Sequence, residues 1–320
     1  MSSGIQDQIS FIPEVAWGTP GVPSKSIGVH AGDGIQTDMD IRFTTAFNTT
    51  LAKNQGSFKG LAKHTGSYSM DFAPGYATYL LKGALGACAS ALHSGETLVS
   101  DHTMIEGTTK TPFTIEQYID QICRRYSGAI CTGFKFSQKM GEALQAEFGF
   151  IAKTQATATK ITGAYDTVKV LDSNELGATG VKIGNTSFTE IQSLELEYKN
   201  GAFVDHSVSG NDPVTWGIKP SEVTFKLEAY MDTAFAVKYN TDYLTALEQA
   251  LELIWTGAAT IGTAAHYILD ILVPKMVFTA GKYPITESHN LITLDGAASY
   301  NIATTKLIQV IVTNLIAALT

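Results

Sequence analysis

The chain has 320 residues, with 22 Lys and Arg against 30 Asp and Glu, a formal net charge of −8. Hydrophobic residues make up 44%, which excludes a disordered chain, and the length suits roughly two average domains. Charged residues are only 16%, against about 25% in an ordinary soluble domain; this points to oligomerisation, because interface cores are poor in charge.

Net acidity argues against a nucleic-acid clamp, which needs Lys and Arg to replace the counterions on phosphate. Cys88, Cys123 and Cys131 form no C-x-x-C pair, so neither a zinc ribbon nor a disulfide framework is indicated. The opening MSSGIQDQIS has no basic or apolar region and reads as no signal peptide. Leu307–Leu319, the most apolar stretch, is 13 residues long and holds Gln309, Thr313 and Asn314; a membrane span needs ~20 apolar residues, so it reads as a buried strand or core segment.

Period-two alternation dominates, the mark of antiparallel sheets with one buried and one wet face. In chain order, Met39, Ile41, Phe43 and Phe47 oppose Asp38, Asp40 and Arg42. Tyr68, Met70 and Phe72 oppose Ser67, Ser69 and Asp71, and the spacing then predicts a helix over 75–86. Strands follow at 112–120, 130–138 and 143–152, where Leu144, Ala146, Phe148 and Phe150 oppose Gln145 and Glu147. The second half repeats the pattern. Leu194, Leu196 and Tyr198 oppose Glu195 and Glu197, and Val223, Phe225, Leu227 and Ala229 oppose Glu222, Lys226 and Glu228. A helix is expected over Thr241–Leu253, capped by Thr241 or Asp242, with Leu244, Leu247 and Leu251 at helical spacing. Strands are expected at 267–273, 275–285 and 306–314. The shared order suggests an internal duplication with its boundary in Lys153–Gly163, although regular strand spacing alone makes all-β chains look self-similar.

Charge is uneven. Residues 1–155 hold 12 basic and 13 acidic residues; residues 156–320 hold 10 and 17. No acid lies between Asp40 and Asp71, a window containing Arg42, Lys53, Lys59 and Lys63 and two turn-like runs beginning at Asn48 and Asn54. This is a basic excursion from an acidic chain.

Catalytic patterns are missing. The sequence has no phosphate-binding loop, dinucleotide fingerprint, nucleophile elbow or His-Glu-x-x-His. Asp101-His102 could belong to a triad but reads more simply as an exposed turn, and Arg124-Arg125 as a solvated turn between strands. Glu195 and Glu197 share a face without a third ligand, as on a wet sheet. Trp17 and Trp216 stand in loop-like sequence, as anchors of the N-terminus and of a strand end or as contacts with a neighbour.

Several segments in sequence carry a resemblance. Glu14-Val-Ala-Trp-Gly-Thr-Pro-Gly-Val-Pro, Gly66-Ser-Tyr-Ser-Met-Asp-Phe-Ala-Pro followed by Tyr79-Leu-Leu-Lys-Gly-Ala-Leu-Gly86, Thr111-Pro-Phe-Thr-Ile-Glu116 with Arg125-Tyr-Ser-Gly128, and Phe134-Lys-Phe-Ser come in an order similar to that of tailed-phage tail tube proteins. Asn211-Asp-Pro213 and the strand at 223–230 fit a second copy. The resemblance implies a mainly β fold of two tandem β-sandwich or half-barrel domains, 1–158 and 159–320, each with a flanking helix. It implies rings, three subunits each if the copies are tandem and six otherwise, stacked into a tube that passes double-stranded DNA. Its implied partners are further copies of the chain, the tape measure, tail terminator and distal tail proteins, and the transient DNA, with no cofactor, metal, catalytic residue or membrane. The implied location is the virion tail, after assembly in the host cytoplasm.

On that reading Glu195, Glu197, Glu222 and Glu228 are candidate channel-wall acids, because acidic walls repel phosphate. Arg42, Lys53, Lys59 and Lys63, in a loop at about 44–64, are candidates for contact with acids of the next ring. The alternatives are a carbohydrate- or cell-surface-binding β-sandwich module, and a hydrolase built on Asp101-His102 or the Glu195/Glu197 pair.

Overall fold

The computed structural model describes residues 8–30, 34–44, 56–119, 122–161, 163–177, 179–208, 210–230, 233–282 and 291–319. Strands account for 60% and helices for 8%, so the fold is mainly β, as the alternation requires.

The first half opens with β1 (Gln8–Pro13), paired with β2 (Lys25–Gly28). Next, β3 (Gln36–Thr44) and β4 (Gly56–Asp71) form a long antiparallel hairpin. The end of β4 buries Tyr68 and Met70, Phe72 closes the face, and the chain enters α1 (Ala77–Leu85). Every residue of α1 except Lys82 is buried, so this helix is a space-filling element of the interior rather than an amphipathic cover. Gly86 ends it at φ 99°, a conformation that side chains disfavour. Then come β5 (Gly86–Leu92), β6 (Ser100–Glu106), β7 (Phe113–Ile119), β8 (Ile122–Lys139), β9 (Gln145–Ala152) and β10 (Thr154–Thr157).

The second half begins with β11 (Ala164–Tyr165) and α2 (Ser173–Leu176), a single turn held by an Asp172/Glu175 capping box. It continues through β12 (Val181–Ile183), β13 (Thr186–Phe188), β14 (Ile191–Lys199), β15 (Phe203–His206), β16 (Pro213–Gly217) and β17 (Glu222–Tyr230). After α3 (Thr233–Val237) and a π-helical turn over Lys238–Tyr243 come β18 (Gln249–Ile261), β19 (Ala265–Lys282), β20 (Leu291–Ala298) and β21 (Gln309–Asn314).

One antiparallel sheet runs β4–β9–β8–β14–β17–β20–β19 across both halves. A second layer contains β18, β21, β6 and β5 around the first part of β19, and β1, β7 and β10 around the first part of β8. Both β8 and β19 are 18 residues long and change neighbours midway, passing from one layer to the other. Between the layers lies a hydrophobic core to which both halves contribute, among others Phe134, Phe148, Phe150, Phe225, Trp255 and Ile271.

The structure corrects four expectations. Thr241–Leu253 is not a helix: Leu251, Leu253 and Trp255 are buried at alternate positions of β18, while Leu244 is 65% exposed, so the apparent helical spacing joins a turn to a strand. The strands expected at 267–273 and 275–285 are the single strand β19. Pro274 has no N–H to give, and it sits in a slip of the β18 ladder, between Leu251↔Val273 and Gln249↔Met276, past the last β21 pair at Leu272 and before the first β20 pair at Met276. Asp101-His102 is not an exposed turn but lies in β6, with His102 fully buried. Arg124-Arg125 lies inside β8, where Arg125 holds the buried Glu116 at 2.5 Å.

Candidate functional site: a charged sheet face and a projecting hairpin

The sheet that crosses both halves has two unlike faces. One is the aromatic core; on the other, the alternation fixes cross-strand rows of polar side chains. One row reads Glu147, Lys135, Glu197, Thr224, Ala297; the next reads Gln145, Ser137, Glu195, Lys226, Asp295; a third holds Lys139, Ser193, Glu228 and Thr293. These rows carry five acids against three lysines, a net −2.

The four acids singled out in sequence all lie on this face, Glu222 opposite Lys199 at its margin. Three of them are ion-paired: Glu195 with Lys135 at 3.0 Å, Glu197 with Lys199 at 3.0 Å and Glu228 with Lys226 at 2.8 Å. Glu228 also accepts from Ser193 Oγ at 2.8 Å. The Lys226 contact, then that hydroxyl, holds its carboxyl below the usual range, and the same contact raises Lys226. The face is thus a lattice of compensated charge with an acidic surplus.

The second feature is the β3–β4 hairpin. Past Met39 and Ala62 its strands extend beyond the core, and two apolar side chains that alternation marked for burial are open, Ile41 at 61% and Phe43 at 57%, as is Phe58 at 50%. Arg42 is neutralised by Asp40 at 2.6 Å, and Lys63 stands opposite Asp38. Lys59 faces Ile41, and Lys53 lies outside the described residues. The described stem of the hairpin therefore presents exposed apolar side chains beside two acids and three bases.

The chain matches the family described as phage tail tube protein over residues 4–303. It belongs to that family. No curated protein matches it. The tail tube subunit is accordingly a structural protein that assembles into a tube and is a component of the virion tail. This membership displaces the carbohydrate-binding and hydrolase alternatives.

Several other polar groups of the tail tube subunit are structural ties. His102 links Ser90 Oγ at 2.8 Å to Asn314 Oδ1 at 3.0 Å, and Asp101 accepts from Thr313 Oγ1 at 2.6 Å. Burial pushes the Cys131 thiol up to about 12 and leaves it unreactive. Trp17 does anchor the N-terminal segment: its Nε1 donates to Gly128 O at 2.8 Å and Lys153 lies over its ring. Glu14, which opens a motif in the sequence but was given no role from it, is the hub beside it, its carboxylate accepting from Gly18 N, Thr114 Oγ1 and Gly128 N at 2.7–2.8 Å.

Asp270 was also missed. It lies on the face of β19 away from the core, opposite Ile254 and Ile311, and its Oδ1 is buried with no hydrogen-bond partner among the described residues. Burial, then the charge of Glu252, pushes its carboxyl up to about 6. Only the position of Asp270 within an otherwise aliphatic stretch of β19 could have flagged it.

Proposed function

We propose that the subunit is two tail-tube repeats, 1–158 and 159–320, fused within one folding unit, and that three copies close a ring of pseudo-sixfold symmetry. The observation that carries this is the pair of strands β8 and β19. In β8 the second part, 133–139, has β9 on one edge and β14 of the other half on the opposite edge. In β19 the corresponding part has β20 on one edge and no described strand on the other. The complementary free margin is in the first half. There the end of β4 pairs with β9 on one side, and on the other the described residues form no strand ladder, with Ser69 O accepting from His30 N at 2.8 Å. The join between repeats inside one chain is therefore the template for the join between chains, and it would remove both unpaired edges.

In such a ring the charged face lines the bore. Its acidic surplus repels phosphate, and its paired charges leave few bare cations for DNA to hold. The β3–β4 hairpin carries ring stacking, through apolar contact first and with Arg42, Lys53, Lys59 and Lys63 as the ionic fringe. Tape measure protein inside the tube, with terminator and distal tail proteins at its ends, complete the set of partners, and assembly takes place in the host cytoplasm. A cryo-EM cross-section of the purified tube tests the reading: three chains per ring are expected, and six would overturn it.

A further inference from the structure

The loop of the β15–β16 hairpin closes on the stem of β3–β4, and Asn211 makes three of the contacts. Its Nδ2 donates to Lys59 O at 2.8 Å and to Gly60 O at 2.6 Å, and its main-chain O accepts from Ala62 N at 2.9 Å. His206 Nε2 donates to Ala62 O at 2.9 Å, and Asp212 Oδ1 lies 3.6 Å from Nε2 of the buried His64. All of these contacts fall on residues 59–64, where the ladder slips: Met39 faces Ala62 but Ile41 faces Lys59, so Gly60 and Leu61 together oppose Asp40. Such a bulge bends a strand and frees main-chain groups from the ladder, making this the natural hinge of the hairpin. The other end of β15–β16 is footed in the core. Asn200, wholly buried, donates to Ala84 O and Cys131 O at 2.9 and 2.8 Å, and Lys219 N returns to Gly201 O at 3.0 Å.

We infer that β15–β16 is a brace, with Asn211 as its positioning residue, that fixes the angle at which β3–β4 leaves the protomer and so the rotation between successive rings. The inference rests on the stacking role proposed above for β3–β4. It gives the two hairpins different work, one reaching the next ring and the other aiming it.

The test compares Asn211→Ala and the near-isosteric Asn211→Asp, which removes the donor, with Phe43→Ser at the hairpin. Asn211 is exposed, so its variants should fold and form rings of wild-type size. Tubes of both should show a changed inter-ring rotation by cryo-EM and a critical concentration for growth raised at least tenfold. Wild-type rotation and critical concentration in both, while Phe43→Ser fails to stack, would overturn the brace and leave the stacking role standing. Normal stacking by Phe43→Ser would instead strike the stacking role itself. Loss of rings in both Asn211 variants would make the residue a folding determinant and overturn the inference too.

Discussion

Replacing Ile41 and Phe43 together by Ser removes the apolar part of the projecting hairpin without touching the core. A fully buried side chain of this size is worth about 1.5–3 kcal/mol. With roughly 60% of each left open in the protomer, covering them in a stacked ring is worth about 1–2 kcal/mol apiece. Incomplete coverage and the ordering of the hairpin reduce the pair to about 1–1.5 kcal/mol per protomer. With the three protomers per ring proposed above, the loss comes to about 3–4.5 kcal/mol for each ring-to-ring joint, roughly a hundred- to a thousandfold change. The assay is the critical concentration for tube growth, followed by light scattering and negative-stain microscopy. Single rings that melt like wild type but do not elongate are expected. Full-length tubes at the wild-type critical concentration would refute the assignment of stacking energy to this hairpin.

Other substitutions probe separate claims. Glu14→Ala strips the acceptors from two main-chain N–H groups and the Thr114 hydroxyl; a loss of about 2–4 kcal/mol, or roughly 3–6 °C in melting temperature for a chain of 320 residues, is expected in calorimetry. Asp270→Asn should stabilise. The carboxyl titrates at about 6 in the fold against an ordinary 3.8, so the native state favours the proton, and stability falls as pH rises through this window. Melting curves should show a gain of about 1–2 kcal/mol at pH 8 that vanishes below pH ~4; a pH-independent difference would contradict the argument. Gly133→Val places a side chain against the Tyr198 carbonyl and should break the join between the halves, seen as exchange of the amides of 193–199. Lysines in place of Glu195, Glu197, Glu222 and Glu228 should permit assembly but slow DNA release in a salt-dependent way, and release at the wild-type rate in low salt would count against a wall role.

The alternation made most of the sheet that crosses both halves legible, because a strand with one aromatic and one charged face has a single stable placement. Leu194–Tyr198 and Val223–Ala229 are found where period two puts them. The same rule failed at Ile41 and Phe43, since periodicity reports which side chains are apolar and not whether the strand still lies over its core. Short strands such as β12 and β13 were missed because three residues hold too little of any period. The expected second helix arose from leucines on either side of the turn at 244–248, and Pro274 masked the continuity of β19. The acids of the charged face could be read as a wet face, and Lys199 and Lys226 lie two residues from Glu197 and Glu228 on the same strand, but the Lys135–Glu195 pair joins neighbouring strands and emerges only with register.

The ladder joining β14 to β8 pairs seven residues, Ser193–Lys199, edge to edge. Once such ladders close into an annulus, their hydrogen bonds point around the circumference. Internal pressure then pulls on every bond of a seam at once instead of unzipping them one after another. A vessel sewn this way resists bursting through many weak stitches loaded in parallel, and can still be built from chains that carry no covalent cross-link among their three free thiols.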